Sequence, residues 1–506
     1  MEVLTENLNE QELMLLDSVQ LKIEQKIALP ANAKKIIGVS CQLFGQKAEI
    51  GQSEINLTGN IVTRCVFMNE FDKYDSEDIT EAFEKKVTVK EHSGINQISA
   101  CINLTNSNWQ LVEDKIALEN IVIVNVKGVK AQDFQVVSNL TGEVEVRKTE
   151  HQILTFNSLL NDKFEITENI ELDGVCEGVL GVDVNPNLKE VVAGDGKVNL
   201  KGEIVVNVLG VKTVENNNVP YNTIHEIDFA KSIAKTGVTD ADSAYGTVTI
   251  DAVKMHIENT NKGAVLVLEI EMLFDGSVYC KQKFNSVVDA ICFEKELTLQ
   301  SSKLNAIELL PQISTTIDIE NNINMAANSP YISHVLAVDS MRVNDVQVNV
   351  GDNKALIEGV LVVNLLLENE EHLISGERFE IPFQTHTRVE NLDREYQIEA
   401  VVVPLRVNAK ARRGTEILID AQLGVVIKAS TKKDLTVVNS LIEGQNKTDD
   451  GSAIRIYIIG EKEDLWSLAK RTNLSCNALL QQNPNLENGC TAGERIVVYR
   501  HENVNL

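Results

Sequence analysis

Ile55-Asn56-Leu57-Thr58-Gly59-Asn60-Ile61-Val62 is the stretch on which the reading of this chain turns. It reappears as Val198-Asn199-Leu200-Lys201-Gly202-Glu203-Ile204-Val205, and more loosely as Leu356-Ile357-Glu358-Gly359-Val360-Leu361-Val362. Gly59, Gly202 and Gly359 thus recur about every 150 residues, a spacing that suits a whole domain and is too long for a solenoid repeat. A glycine inside a strand-like run marks a bulge or a close backbone approach.

Working outward, each block has matching neighbours. Upstream lie Ile37 to Leu43, Val179 to Val184 and Val335 to Ser340. Before these come Val19 to Ile23, Phe164 to Thr167 and Thr316 to Ile319. Downstream, Ile116 to Val126, Ala264 to Phe274 and Glu416 to Val426 carry the two-residue alternation of half-buried strands. The expected fold class is therefore mainly β, with three tandem β-sandwich-like repeats of eight or more short strands. The boundaries follow the pattern: repeats over 19–150, 151–305 and 306–438, a linker over 439–453 and a small domain over 454–500. An N-terminal helix is expected within 1–18, because Thr5 to Asp17 sets Leu8 and Leu13–Leu16 against early acidic residues.

Composition narrows the function. The chain has 506 residues and a formal charge of −27, so phosphate backbones and bare anionic membrane are poor partners. The start is acidic, without the basic and apolar regions of an export signal, and no run is long enough to span a bilayer. The eight cysteines form no CxxC pair, which suits a reducing cytosol. Free thiols are expected, with a Cys476–Cys490 bridge as the alternative.

Signs of catalysis are missing. His92, His151, His225, His256, His334, His372, His386 and His501 are scattered without HExxH spacing. There is no GxSxG, and no GxxxxGK[ST] to hold a nucleotide. Gly174, Gly178 and Gly181 lack a following helix. The expectation is a non-enzyme with no catalytic residues, metal or cofactor. The basic cluster Lys410, Arg412 and Arg413 reads as a solvated hairpin turn.

After the linker the pattern changes. Ile454 to Ile459 reads as a strand, Asp464 caps a helix over Leu465–Arg471, Ser475 caps a second over Cys476–Gln482, and Asn483-Pro484 ends it. Gly493 to Tyr499 closes the unit as a strand, giving a small α+β (βααβ) domain. Tyr457, Leu465-Trp466-Ser467-Leu468-Ala469, Asn473-Leu474-Ser475, Asn483-Pro484 and Gly493-Glu494-Arg495-Ile496-Val497-Val498 resemble the LysM family at its spacing.

That resemblance implies a shallow binding surface formed by Ile459, Gly460, Glu461, Lys462, Glu463, Asp464, Leu465, Trp466 and Leu468, facing Asn483, Pro484, Asn485 and Leu486. Trp466 itself reads first as a helix-face aromatic in the core. Members of the family commonly bind N-acetylglucosamine glycans. Here Lys462-Glu463-Asp464 replaces their glycine-containing turn, making a charged rim suited to protein. The glycine blocks resemble SPOCS domains, and SPOCS repeats followed by LysM resemble the SipL-like spore-coat morphogenetic proteins of clostridia. This implies a mother-cell cytoplasmic adaptor, recruited to the forespore surface through a SpoIVA-like coat ATPase and other coat proteins. Peptidoglycan is the alternative partner.

Overall fold

The computed structural model describes residues 1–51, 54–88, 95–172, 176–214, 217–260, 263–326, 329–448 and 452–499. Residues 449–451 of the expected linker, and Gly174, His92 and His501, lie outside the described residues. The chain is mainly β, arranged in several sheets with a small helical region at its C-terminal end.

The first six strands are β1 (Glu2–Ala28), β2 (Ala33–Ile50), β3 (Glu54–Asn69), β4 (Tyr74–Thr88), β5 (Ile95–Val112) and β6 (Lys115–Thr141). They form sheets of order β2-β3-β4 and β1-β6-β5. Both sheets bury aliphatic side chains in one core, including Ile23, Val39, Leu57, Ile61, Ile102 and Val124. Next come β7 (Val144–Glu171), β8 (Cys176–Gly194), β9 (Lys197–Val214), β10 (Asn217–Ala234), β11 (Ser243–Thr260) and β12 (Gly263–Cys292). Here β8-β9-β10 faces β7-β12-β11 across a second core.

The last large set is β13 (Lys295–Leu309), β14 (Ile313–Asn324), β15 (Ile332–Gly351), β16 (Lys354–Asn369), β17 (Ile374–Arg388), β18 (Gln397–Arg412) and β19 (Glu416–Asn446). Sheet β15-β16-β17 faces β14-β19-β18. The strands are fewer and longer than expected. Each central strand is buried at alternate residues over its first part, as Val and Ile on a pleated surface require, and at consecutive residues further on, where both of its faces are covered.

The glycine blocks lie at matching positions. Gly59 pairs with Phe83, Gly202 with Phe229 and Gly359 with Phe383. A Cβ on these glycines would lie 2.8, 2.7 and 2.8 Å from the opposing ring, so only glycine lets the ring lie flat across the strand. Opposite each glycine, the preceding strand is bulged: between Phe44 and Lys47, Leu188 and Glu190, and Asn344 and Gln347. Both expectations for these glycines hold together, with the bulge on the neighbouring strand rather than their own.

Three pairings run on beyond the cores as long ribbons, β1 with β6, β7 with β12 and β13 with β19. They converge on Leu8, Val136, Ile153, Phe284, Leu304 and Val437, two from each ribbon. A second junction joins the outer faces of the β2-, β8- and β15-containing sheets through Ile37, Val66, Leu180, Leu209, Ala337 and Leu366.

The ribbons correct three expectations. The segment expected as an N-terminal helix is strand, paired with β6 from Glu2 opposite Thr141 to Ala28 opposite Lys115. Its Leu, Met and Gln residues favour helix locally, but Leu8, 1% exposed, is buried only when the ribbon forms. The linker is shorter than expected, because β19 continues to Asn446. The boundaries at 150/151 and 305/306 fall inside β7 and β13, whose exposed polar residues resemble loop in the sequence. The basic cluster does sit at the β18–β19 hairpin, where Arg413 and Gly414 take φ of 54° and 69°. Among the described residues, no helix is long and apolar enough to cross a membrane.

Candidate functional site

The C-terminal module runs β20 (Ile454–Ile458), α1 (Leu465–Thr472), α2 (Cys476–Gln482), a 3-10 turn over Pro484–Asn488, and β21 (Arg495–Tyr499). β20 and β21 pair antiparallel. Both expected caps form: the Asp464 carboxylate accepts from Ser467 N, and the Ser475 hydroxyl from Ala478 N. The Ser467 side chain and backbone together hold the Asp464 carboxyl below its usual range. Ile459, Leu468, Ala469, Leu479, Leu486, Ile496 and Val498 make a small core.

Strand periodicity identified β20 but not its inner face. Ile454, Ile456 and Ile458 are 59%, 66% and 56% exposed, whereas Tyr457 packs on the core and lies under the Arg471 guanidinium, 5.5 Å from its ring centre. Alternation gives the period, and only packing chooses which parity is buried.

The expected surface residues divide into three groups. Ile459, Leu468 and Leu486 are core, and Leu465 is half-buried. Asn483 is also buried; it donates to Val497 O at 2.8 Å and accepts from Val497 N at 2.9 Å, fixing the end of α2 to β21. Gly460, Glu461, Lys462, Pro484 and Asn485 remain exposed, in two separate segments of the module. Glu463 supports the first loop, accepting from Gly460 N and Arg471 at 2.8 Å each. Lys462 takes φ of 60°, keeping a left-handed turn without glycine. Lys462→Gly is expected to stabilise the module by about 1 kcal/mol through relief of this strain, read as a shift in urea midpoint of the Trp466 signal.

A third group meets the body of the protein. The Trp466 indole donates to Asp289 Oδ2 at 2.8 Å, and Lys470 Nζ donates to Asp289 Oδ1 at 2.6 Å. Arg147 lies 6.0 Å from the Trp466 ring and 3.8 Å from the Asp464 carboxylate. The Glu145 carboxylate accepts from Cys476 N at 2.8 Å, at the start of α2. Asn473 donates to Phe293 O, while Lys447 donates to both Cys292 O and Asn473. Ile291 and Phe293 complete the module's core from outside it. The module is therefore seated on the end of the β7/β12 ribbon.

Asp289, Arg147 and Glu145 were missed in the sequence. They lie 177 residues or more from their partners and are ordinary acidic and basic positions within strands. Burial pushes the Asp289 carboxyl up, but hydrogen bonds from Lys470 and Trp466 outweigh it and hold the group below its usual value. Its contribution to docking is thus present above the ordinary carboxylate range and is lost as pH falls through the lowered value.

Asp289→Ala removes the acceptor of two donors, one charged, and is expected to weaken docking by roughly 2–3 kcal/mol. The readout is a red shift of Trp466 emission in a Trp109→Phe background, with faster proteolysis between β19 and β20. An unchanged emission maximum and cleavage rate would rule out the latch.

All eight cysteines are free, so Cys476 and Cys490 are not bridged. Burial, with Glu145 adding to it, pushes the Cys476 thiol up to about 11. Compared with protein-family models, curated proteins and solved structures, the chain finds no match.

Proposed function

We propose that the chain is a non-enzymatic assembly adaptor of the spore-coat morphogenetic class, built from three copies of one SPOCS-like β unit and ending in a LysM-like module. In this reading the module engages a coat morphogenetic ATPase of the SpoIVA type, and the protein works in the mother-cell cytoplasm at the forespore surface. The observation that carries the reading is the pair of loops, Gly460–Lys462 and Pro484–Asn485, left exposed on a module pinned to the body through Trp466 and Lys470. Support for three copies comes from the glycine–phenylalanine pairs and the bulges opposite them, which recur at the same register.

A seated module presents its open loops in one orientation. Less conformational freedom is then lost when a partner binds than for a domain on a loose tether. Linked contacts elsewhere on the chain become intramolecular once the first has formed.

The test is capture of the coat ATPase by the full-length chain, compared with a Glu461→Arg/Asn485→Arg variant. Both residues are exposed, so folding should be preserved. The expected result is at least a tenfold loss of capture at unchanged melting temperature. Equal capture by both proteins would remove the reading. Glycan binding is the second reading, favoured by the left-handed Lys462 at the position of the family's glycine. Retention on purified peptidoglycan, lost with the same variant, would select it.

A further inference from the structure

A cavity of about 50 Å³ lies where the first β unit meets the third. Its walls come from Val39–Gln42 of β2, Asn106, Ser107 and Trp109 of β5, Ser340–Arg342 of β15, and Arg378 of β17. Two guanidinium groups, Arg342 and Arg378, line this one small space in a chain of net charge −27.

Their partners are unequal. Arg378 donates to Ser107 O, Asn106 and Asn108 and pairs with the exposed Glu380, but its Nε has no partner among the described residues. Arg342 donates to the Cys41 carbonyl, and no carboxylate lies within ion-pair distance of it among the described residues. The carboxylate on the wall, Asp183 of the second unit, lies beyond ion-pair distance of Arg342 but still acts on its charge. It accepts from Gln42 Nε2 at 2.6 Å and Met341 N at 3.2 Å. Beside it, Arg64 is held by Asp78 and donates to Val182 O at 3.0 Å.

Arg342 and Arg378 are both half-buried, and Glu380 offsets part of the charge of Arg378; the like charges still repel across the cleft, and an anion between them lowers that cost. Guanidinium groups also match oxyanions geometrically, offering several N–H donors in a plane. The volume suits roughly three or four waters, or a single oxyanion of phosphate size.

We propose that this cavity binds a small oxyanion of the phosphate class, held by Arg342 and Arg378, which fastens the third β unit to the first. Because both arginines belong to the third unit while their carbonyl partners Cys41 and Ser107 belong to the first, the ion would close an existing contact. It would bind the folded chain alone and stabilise it by mass action.

The experiment is thermal unfolding of the full-length chain in inorganic phosphate, with chloride and acetate at matched ionic strength. The expected result is a saturable rise of about 2–4 °C in phosphate over chloride, abolished by Arg342→Gln. A rise in acetate equal to that in phosphate would overturn the phosphate class. A midpoint identical in phosphate and chloride, or a full response retained by Arg342→Gln, would overturn the site. Should that variant fail to fold, calorimetric titration of the unmodified chain with phosphate decides: saturable heat at one site supports the proposal, and no heat overturns it.

Discussion

Replacing Asp339 with Asn is expected to raise stability at about pH 8 by on the order of 4 kcal/mol and to change it little below about pH 4. Asp339 lies on β15, 6% exposed, at the junction of the three units, and neither carboxylate oxygen has a hydrogen-bond partner among the described residues. Burial pushes its carboxyl up to about 7; the Arg64 charge draws it back in part, and Asp183 pushes it further up. Gly38 of the first unit leaves the room this side chain occupies, since a Cβ there would lie 2.8 Å from Asp339 Oδ2.

The sign follows from proton linkage. The folded state binds the proton more tightly than the unfolded chain, whose carboxyl has its ordinary value of 3.8. Stability from the neutral acid is fully present below that value and is lost as pH rises toward the folded value of about 7. Asn has nearly the shape of the protonated acid and does not titrate. Denaturant unfolding of both proteins from about pH 4 to pH 8 should therefore show curves that separate steadily as pH rises. Parallel curves would show that Asp339 carries no buried charge.

Gly202→Ala is expected to cost roughly 2–3 kcal/mol, whereas Gly178→Ala should stay within about 0.5 kcal/mol of the parent. The added Cβ at Gly202 would lie 2.5 Å from the Asn187 carbonyl oxygen and 2.7 Å from the Phe229 ring. The first contact is backbone and cannot rotate away. At Gly178 nothing lies within 4 Å of the same atom. Urea midpoints of the two variants settle the matter. Equal losses would mean that glycine is needed for strand conformation in general and not for the ring packed across it.

Much of the β architecture was legible because pleated strands leave a two-residue signature and the glycine blocks recur at domain spacing. The C-terminal module was clearer still. Its caps, Asp464 and Ser475, and its proline stop act within a few residues, so local chemistry fixes them. The ribbons were illegible for the opposite reason. Residues 5–17 carry an apolar stripe compatible with helix, and their strand state depends on pairing with β6 more than a hundred residues away.

Of the candidate surface, the sequence located the loops at Gly460–Lys462 and Pro484–Asn485 but not their neighbours' fates. Ile459, Leu468 and Leu486 were expected on the same surface and are core, because apolar residues beside an exposed loop serve to fold the unit. Trp466 was read as core, and it does pack there, but its indole N–H also reaches a carboxylate 177 positions earlier in the chain.

By itself the sequence determined strand period, helix caps and turns, since hydrogen bonding and backbone sterics between near neighbours set these. Only the tertiary structure decided which parity of β20 faces solvent, which charges are buried at the unit junctions, and where the C-terminal module is seated. Those outcomes depend on the dielectric and shape made by distant strands, and no short window of sequence contains that information.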